Sequence, residues 1–135
     1  MAFCNSLEEV RAFFAKDRFA TENGAVIEEY GKNYAKIRLD IKPEHKNALG
    51  NLMGGATFTI ADFAFAVASN WENPGTVAIS STIDYNGVAK GNTVYAVADC
   101  VKDGRSTCCY IVSVKDDLDN LVATVMITGF KTGKR

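Results

Sequence analysis

A single carboxylate, Asp62, lies in the middle of an otherwise apolar or small-residue stretch, GGATFTIADFAFAVASN, residues 54–70. At the head of that stretch Gly54 and Gly55 leave backbone N–H groups unobstructed. Read as a helix, the stretch places those donors at the positive end of the helix dipole, where developing negative charge is favoured. A donor and a carboxylate are the minimum set for attack on an acyl carbonyl: one polarises the oxygen, the other acts as nucleophile or positions water. Gly54 and Asp62 are eight residues apart, which is about 12 Å along a helix. An aspartate side chain is too short to span that, so the two groups cannot meet at one carbonyl within one chain. If both act on one substrate, they come from different chains. Two such helices, antiparallel across a two-fold axis, bring each acid near the other's glycines. The catalytic reading therefore predicts a homodimer with two equivalent interfacial sites. The competing reading is a structural acid, paired with a backbone donor, a lysine or a tyrosine across the interface. Burial without any partner costs about 1–3 kcal/mol for a neutral polar group, and more for a charge.

The elements around Asp62 must hold it. Gly55, Thr59, Asp62, Ala66 and Ser69 fall on one line at helical spacing, a narrow stripe of small or polar residues suited to close approach by a helix or a ligand. Phe58, Ile60, Phe63, Phe65 and Val67 point in several other directions, so the helix, read over residues 54–72, is buried on most sides. Its stop signals are Asn73, Pro74 and Gly75. Upstream, residues 6–16 form a short amphipathic helix within an N-terminal helical region, 1–18, with Ser6 and Glu9 in capping-box spacing. Residues 24–31 and 33–41 read as strands. In the second, Ala35, Ile37, Leu39 and Ile41 alternate with Tyr34, Lys36, Arg38 and Asp40. A loop with Pro43 and Gly50 leads into the helix. Beyond it, residues 76–131 are rich in Val, Ile, Thr and Tyr and are cut by turns into four strands. The expected fold is α+β: one domain, residues 1–135, with an antiparallel sheet of about six strands wrapped around one long central helix.

Composition narrows the function class. The chain has 135 residues, 47% of them hydrophobic, and a formal charge of -1. The one short basic feature is the tail with Lys131, Lys134 and Arg135, which disfavours a nucleic-acid binder. No uninterrupted apolar run is long enough to span a membrane, and Glu8 and Glu9 interrupt the N-terminus where a signal peptide needs an apolar stretch. A cytoplasmic protein is expected. Cys4, Cys100, Cys108 and Cys109 show no metal-binding spacing, and the single histidine, His45, completes none, so no metal site is expected. His45 reads as a loop residue rather than a catalyst.

The segment NALGNLMGG followed by ATFTIADFAFA resembles the signature of hotdog-fold acyl-CoA thioesterases of the PaaI-like group, approximately N-x-x-G-x-x-H-G-G with an Asp eight residues beyond the first paired glycine. The later TIDY…AKGNTV is similar to that group's third strand and turn, and the resemblance spans roughly residues 20–131. It implies a hotdog fold, sheet-to-sheet dimers and often dimers of dimers, an acyl-CoA substrate, and no metal or redox cofactor. It casts Asp62 as nucleophile or general base, the Gly54 amide as the donor to the thioester oxygen, and Asn47 as the group that orients carboxylate or water. Gly55, Met53 and Phe58 then border the substrate. A third-strand hydroxyl assists, with Ser80, Ser81 and Thr82 as candidates. Two positions depart from the pattern. Met53 replaces the usual histidine, and Gly87-Val88 replaces a usual Arg-Pro, leaving Lys90, Lys102, Arg105 or Lys131 to meet CoA phosphates. Met53 favours an alternative, a non-catalytic acyl-CoA binding or sensing module. A hotdog dehydratase is disfavoured, because its histidine is missing from the motif. The depth of the acyl groove is expected to depend on how side chains such as Phe58, Phe65, Trp71 and Tyr110 sit across the dimer.

Overall fold

Two periodicities divide the chain between a sheet and a buried helix, and the computed structural model, which describes residues 3–133, contains both. In β2 (Tyr34–Asp40), Ala35, Ile37 and Leu39 are buried while the polar residues between them line the outer face. The same alternation runs through β4 (Thr93–Asp103), β5 (Thr107–Asp116) and β6 (Leu121–Lys131). With β1 (Val26–Gly31) and β3 (Thr76–Tyr85) they form one antiparallel sheet in the order β1-β2-β4-β5-β6-β3. Register shifts interrupt the ladders at Ile27/Glu29, Ala78/Ser80, Cys100/Lys102 and Val114/Lys115. Each is a local bend, and together they curl the sheet around what it covers.

That is α3 (Gly54–Asn70), whose Ile60, Ala61, Phe63, Ala64, Phe65, Val67 and Ala68 are all buried. The alanines let the helix lie close against β2 and β4. Under β6 the close approach needs a glycine. A Cβ on Gly129 would stand 2.8 Å from the Phe65 ring and from Cys108 Sγ. The space instead admits Phe65, which meets Tyr110 edge-on at 5.4 Å. Phe65 and Tyr110 are therefore core residues, and Trp71 is pinned by its indole N–H to Gly31 O at 2.8 Å. Phe65 is buried in that core, whereas Tyr110 also lines a depression with Asn33, Ser69 and Asp103. The helix stops two residues before the expected boundary. There the Asn70 side chain accepts from the N–H groups of Gly75 and Thr76, both at 2.8 Å, and donates to Thr76 O at 3.1 Å.

The N-terminal helical region breaks in two. In α1 (Leu7–Phe14) the Ser6 hydroxyl accepts from Glu9 N–H at 3.1 Å, as the capping box predicts. The Glu9 carboxylate reaches back to Asn5 N–H, one residue beyond the expected partner. A second helix, α2 (Arg18–Glu22), follows after Asp17 and lies against α3. The sequence reading missed it: five residues are too few to display a helical period. Lys134 and Arg135 of the basic tail, and the first two residues of the 1–18 region, lie outside the described residues.

Candidate active site

The stripe on α3 is the helix's open face. Gly55 and Asp62 are exposed, and Thr59, Ala66 and Ser69 are half-buried, in contrast to the buried residues on either side. The Thr59 and Ser69 hydroxyls donate to the carbonyls of Gly55 (2.8 Å) and Phe65 (2.7 Å) one turn back, so their polarity is satisfied within the helix. Asp62 differs. No hydrogen bond or ion pair engages its carboxylate among the described residues. It is also not buried within the chain, so the cost attached to a buried unpartnered acid does not arise in the protomer. Its carboxyl nonetheless lies in a depression of about 440 Å³ walled by Phe58, Phe63 and Phe19, with Asp17 and Arg18 at its border. Partial desolvation by these rings, and secondarily the like charge of Asp17, raise its pKa above the usual carboxylate value. Arg18, the cation in that depression, is paired with Glu22.

The N-terminal end of α3 is open as predicted. Met53 is the N-cap residue and contributes no side-chain cap. Its carbonyl accepts from Ala56 and Thr57 N–H, while the N–H groups of Gly54 and Gly55 have no acceptor among the described residues. These are the unpaired donors expected in a first helical turn. Tyr85 of β3 closes one side of this end: its hydroxyl donates to Gly54 O at 3.2 Å. A Cβ on Gly54 would meet the same ring at 3.1 Å, so glycine is what allows the tyrosine to lie there.

Asn47 shapes the approach to the helix. Its side-chain oxygen accepts from the N–H groups of Leu49 (3.0 Å) and Asn51 (3.1 Å). Its backbone N–H donates to Asn51 O at 2.8 Å, closing a tight loop with Gly50 at φ 84°. The Asn47 side-chain NH₂ is left without an acceptor among the described residues. His45 anchors the same segment from below. It is buried, its Nδ1 accepts from Lys42 N–H at 2.9 Å, and its Nε2 lies 2.6 Å from Asn23 O. These contacts fix a neutral ring with the proton on Nε2, holding loop to loop and leaving no nitrogen for chemistry.

The remaining candidates are dispersed. Ser80, Ser81 and Thr82 are exposed on β3, Phe58 is half-buried on α3, and Met53 is 47% exposed at the helix head. Lys90 is exposed, whereas Lys131 is occupied by Asp103 (2.5 Å) and Gly104 O (2.6 Å). Sequence reasoning missed the contribution of α2, whose Phe19 and Ala20 line the depressions beside α3. It also missed Tyr85. The signal for Phe19 was an aromatic side chain in a polar context, Asp-Arg-Phe-Ala-Thr. No group of three or more His, Cys, Asp or Glu side chains that could hold a metal occurs among the described residues. No helix among them is long and apolar enough to cross a membrane.

The chain matches the family model of the thioesterase superfamily over residues 49–123, which takes in the Gly-Gly turn, α3, β3, β4, β5 and the first residues of β6. A protein of Archaeoglobus fulgidus provisionally named an esterase is 33% identical over 95% of this chain and 84% of its own length. The acyl-coenzyme A thioesterase PaaI of Escherichia coli is 28% identical over 86% of this chain and 84% of its own length. The solved structure of E. coli PaaI superposes with a TM-score of 0.86 over 92% of this chain and 91% of that one, at 24% identity. A hypothetical thioesterase of Streptococcus pneumoniae, solved with coenzyme A, superposes at 0.82 over 90% and 98%, at 23% identity. The six-stranded sheet around α3 is thus the hotdog architecture, and the chain belongs to the thioesterase superfamily as a PaaI-like member.

Proposed function

We propose that the protein hydrolyses acyl-CoA thioesters to free acid and CoA, with Asp62 as nucleophile or general base. The observation that carries this is the state of Asp62: a carboxylate with no hydrogen-bond or ion-pair partner among the described residues, on the open face of a helix whose N-terminal amides are likewise unpaired among them. The Gly54 amide takes the thioester oxygen and its developing charge. Asn47 directs its free NH₂ toward the carboxylate or the attacking water, and Ser81 or a neighbouring hydroxyl of β3 assists. Met53, Gly55 and Phe58 border the substrate, and Lys90 meets a CoA phosphate.

The eight-residue separation of Gly54 and Asp62 makes this a reaction between protomers of a homodimer. The exposed length of β3, the end strand of the sheet, supports that assembly. Its Val77 and Ile79 are apolar, and it presents a long unpaired edge on which a second copy can pair. A dimer of dimers is compatible with the same subunit. The free cysteines accord with a cytoplasmic setting. CoA binding is known for the streptococcal relative, and thioester hydrolysis is the named activity of the E. coli one.

A second reading, a non-catalytic acyl-CoA binding module, is favoured by Met53, which sets a thioether at the helix head where the family motif has an imidazole. The purified protein, incubated with short, medium and aromatic acyl-CoAs, separates the two when released CoA is followed by chromatography. Catalytic release of CoA with an equal amount of free acid is the expected result. Tight ester binding with no release assigns the second reading.

A further inference from the structure

Beside the Gly-Gly turn, α2 and the loop before α3 border a second depression of about 270 Å³, whose lining includes Gly55 and Met53 but not Tyr85. Buried Ala20, Leu39 and Ile60 form its base, exposed Met53 stands at its rim, and exposed Phe19 bounds it toward the depression at Asp62. Its polar neighbours are Asn23, Thr59, Glu44 and the neutral His45, and no lysine or arginine lines it. We propose that this depression holds the acyl tail of the thioester, with Phe19 as the end wall that limits tail length; the proposal rests on the thioesterase reading above.

The geometry runs as follows. A carbonyl oxygen held at the Gly54 amide leaves the tail and the CoA arm to depart in different directions. On the β3 side the Tyr85 ring covers Gly54, so that way is closed. On the α2 side Gly55 opens directly into the depression, which begins one residue from the amide donor. The CoA arm carries phosphates and is repelled by Glu44, so the uncharged end of the substrate is the one that enters. A tail ending in a carboxylate is excluded by the same charge and by the apolar base, where an unpaired ion is costly. An apolar cavity of about 150 Å³ accommodates benzene. The space here therefore suits a ring on a short linker, or a straight chain of about eight carbons.

Phe19 sets the limit because of where it stands. Phe19, Ala20 and Thr59 line both this depression and the one at Asp62, so the Phe19 ring is placed where the two adjoin. Being 75% exposed, it carries little of the core and can be replaced without unfolding the chain. Removing the ring joins the two spaces into one channel along α3.

The test is a chain-length profile of kcat/KM, from acetyl-CoA to dodecanoyl-CoA plus glutaryl-CoA, for the wild type, Phe19→Ala and Phe19→Trp. The expected profile peaks at or below about eight carbons in the wild type, moves to longer chains in Phe19→Ala and to shorter ones in Phe19→Trp, and omits glutaryl-CoA. A methylene that no longer fits changes kcat/KM by about tenfold or more, so the displacement is easily read. The same profile in all three proteins, or efficient glutaryl-CoA turnover, overturns the proposal. If no ester is hydrolysed, the thioesterase reading has failed and the tail site is judged separately, by calorimetry with S-alkyl-CoA thioethers. Affinity with a chain-length limit that moves with residue 19 supports the site. Affinity independent of chain length, or a limit unmoved by both variants, refutes it.

Discussion

Asp62 and Asp116 are both aspartates in one small domain, and their surroundings are opposite. Asp116 is buried at the end of β5. It accepts hydrogen bonds from the N–H groups of Lys90 (2.8 Å), Gly91 (3.1 Å), Leu118 (3.0 Å) and Asn120 (2.8 Å), and from the Asn120 side chain (3.0 Å). Burial alone pushes its pKa up, but the donors led by Asn120 outweigh it and hold the carboxyl well below the ordinary carboxylate range. The work it does is mechanical: it ties the connection between β3 and β4 to the turn between β5 and β6. Asp62 is open, without a hydrogen bond or ion pair among the described residues, and shifted upward. One acid is fully spent on the fold, and the other is held in reserve by it. An acid the fold does not use, on the open face of its most buried helix, is one that the proposed mechanism can use.

The contrast can be broken by exchanging the roles. Asp62→Asn is expected to lower kcat/KM by about 10³-fold or more, measured by CoA release. Its sign in stability is the reverse of the usual aspartate. Because the folded-state pKa is raised, ionised Asp62 opposes folding at neutral pH, and this opposition fades as pH falls through the ordinary carboxylate range. Urea unfolding should therefore find Asp62→Asn as stable as the wild type or slightly more so at pH 7, with no advantage in acid. The raised pKa also places the rising limb of the pH–kcat/KM profile above the usual aspartate value. Asp17 faces the same depression and contributes to that shift, so Asp17→Asn should move the limb toward lower pH.

Asp116→Ala should lower stability by about 3 kcal/mol, because several buried N–H groups lose their acceptor. Here the folded-state pKa is depressed, so the stabilisation is present above the unfolded-state pKa, near 4, and is lost as pH falls through the folded value. The wild type should weaken on acidification while Asp116→Asn, less stable at pH 7, shows a flatter curve; chemical denaturation at several pH values reads the difference.

Smaller effects sharpen the other half of the site. Gly54→Ala pushes a methyl against the Tyr85 ring at 3.1 Å, and the resulting displacement of the amide should reduce kcat by about tenfold or more with a modest fall in melting temperature. Tyr85→Phe removes one long, exposed hydrogen bond and should change stability by about 0.5 kcal/mol or less. If Tyr85→Phe lowered turnover as much as Gly54→Ala, the hydroxyl rather than the amide would be the group at the oxygen.

The sequence showed Asp62's importance more clearly than Asp116's. Asp62 interrupts an apolar helix, and periodicity places it with Gly55, Thr59, Ala66 and Ser69 on the face that is indeed the open one. Asp116 lies where any turn favours an aspartate, and its donors Lys90 and Gly91 come from a loop more than twenty residues away. Pairing of that kind leaves no mark on local pattern. The same limit explains His45, read as a loop residue but in fact a buried tie between two loops, and α2, too short to announce itself by period. The strands and the central helix were legible because burial on one face imposes spacing over many residues. That Phe65 and Tyr110 are buried in the single chain could not be read from residue type, because an aromatic side chain alone does not say which side of a helix or strand faces the core. Asn47 and Ser81, which the proposed mechanism assigns to a site shared between protomers, lie on exposed surface in the single chain, where residue type says little about what will cover them.

The most direct measurement prepares the wild type and Asp62→Asn side by side and determines CoA release and unfolding free energy on the same samples. Loss of turnover with stability unchanged or slightly raised at pH 7 is the predicted outcome and makes Asp62 a residue kept for chemistry. Undiminished turnover in a folded Asp62→Asn protein, or a loss of activity that follows a loss of stability, would contradict it.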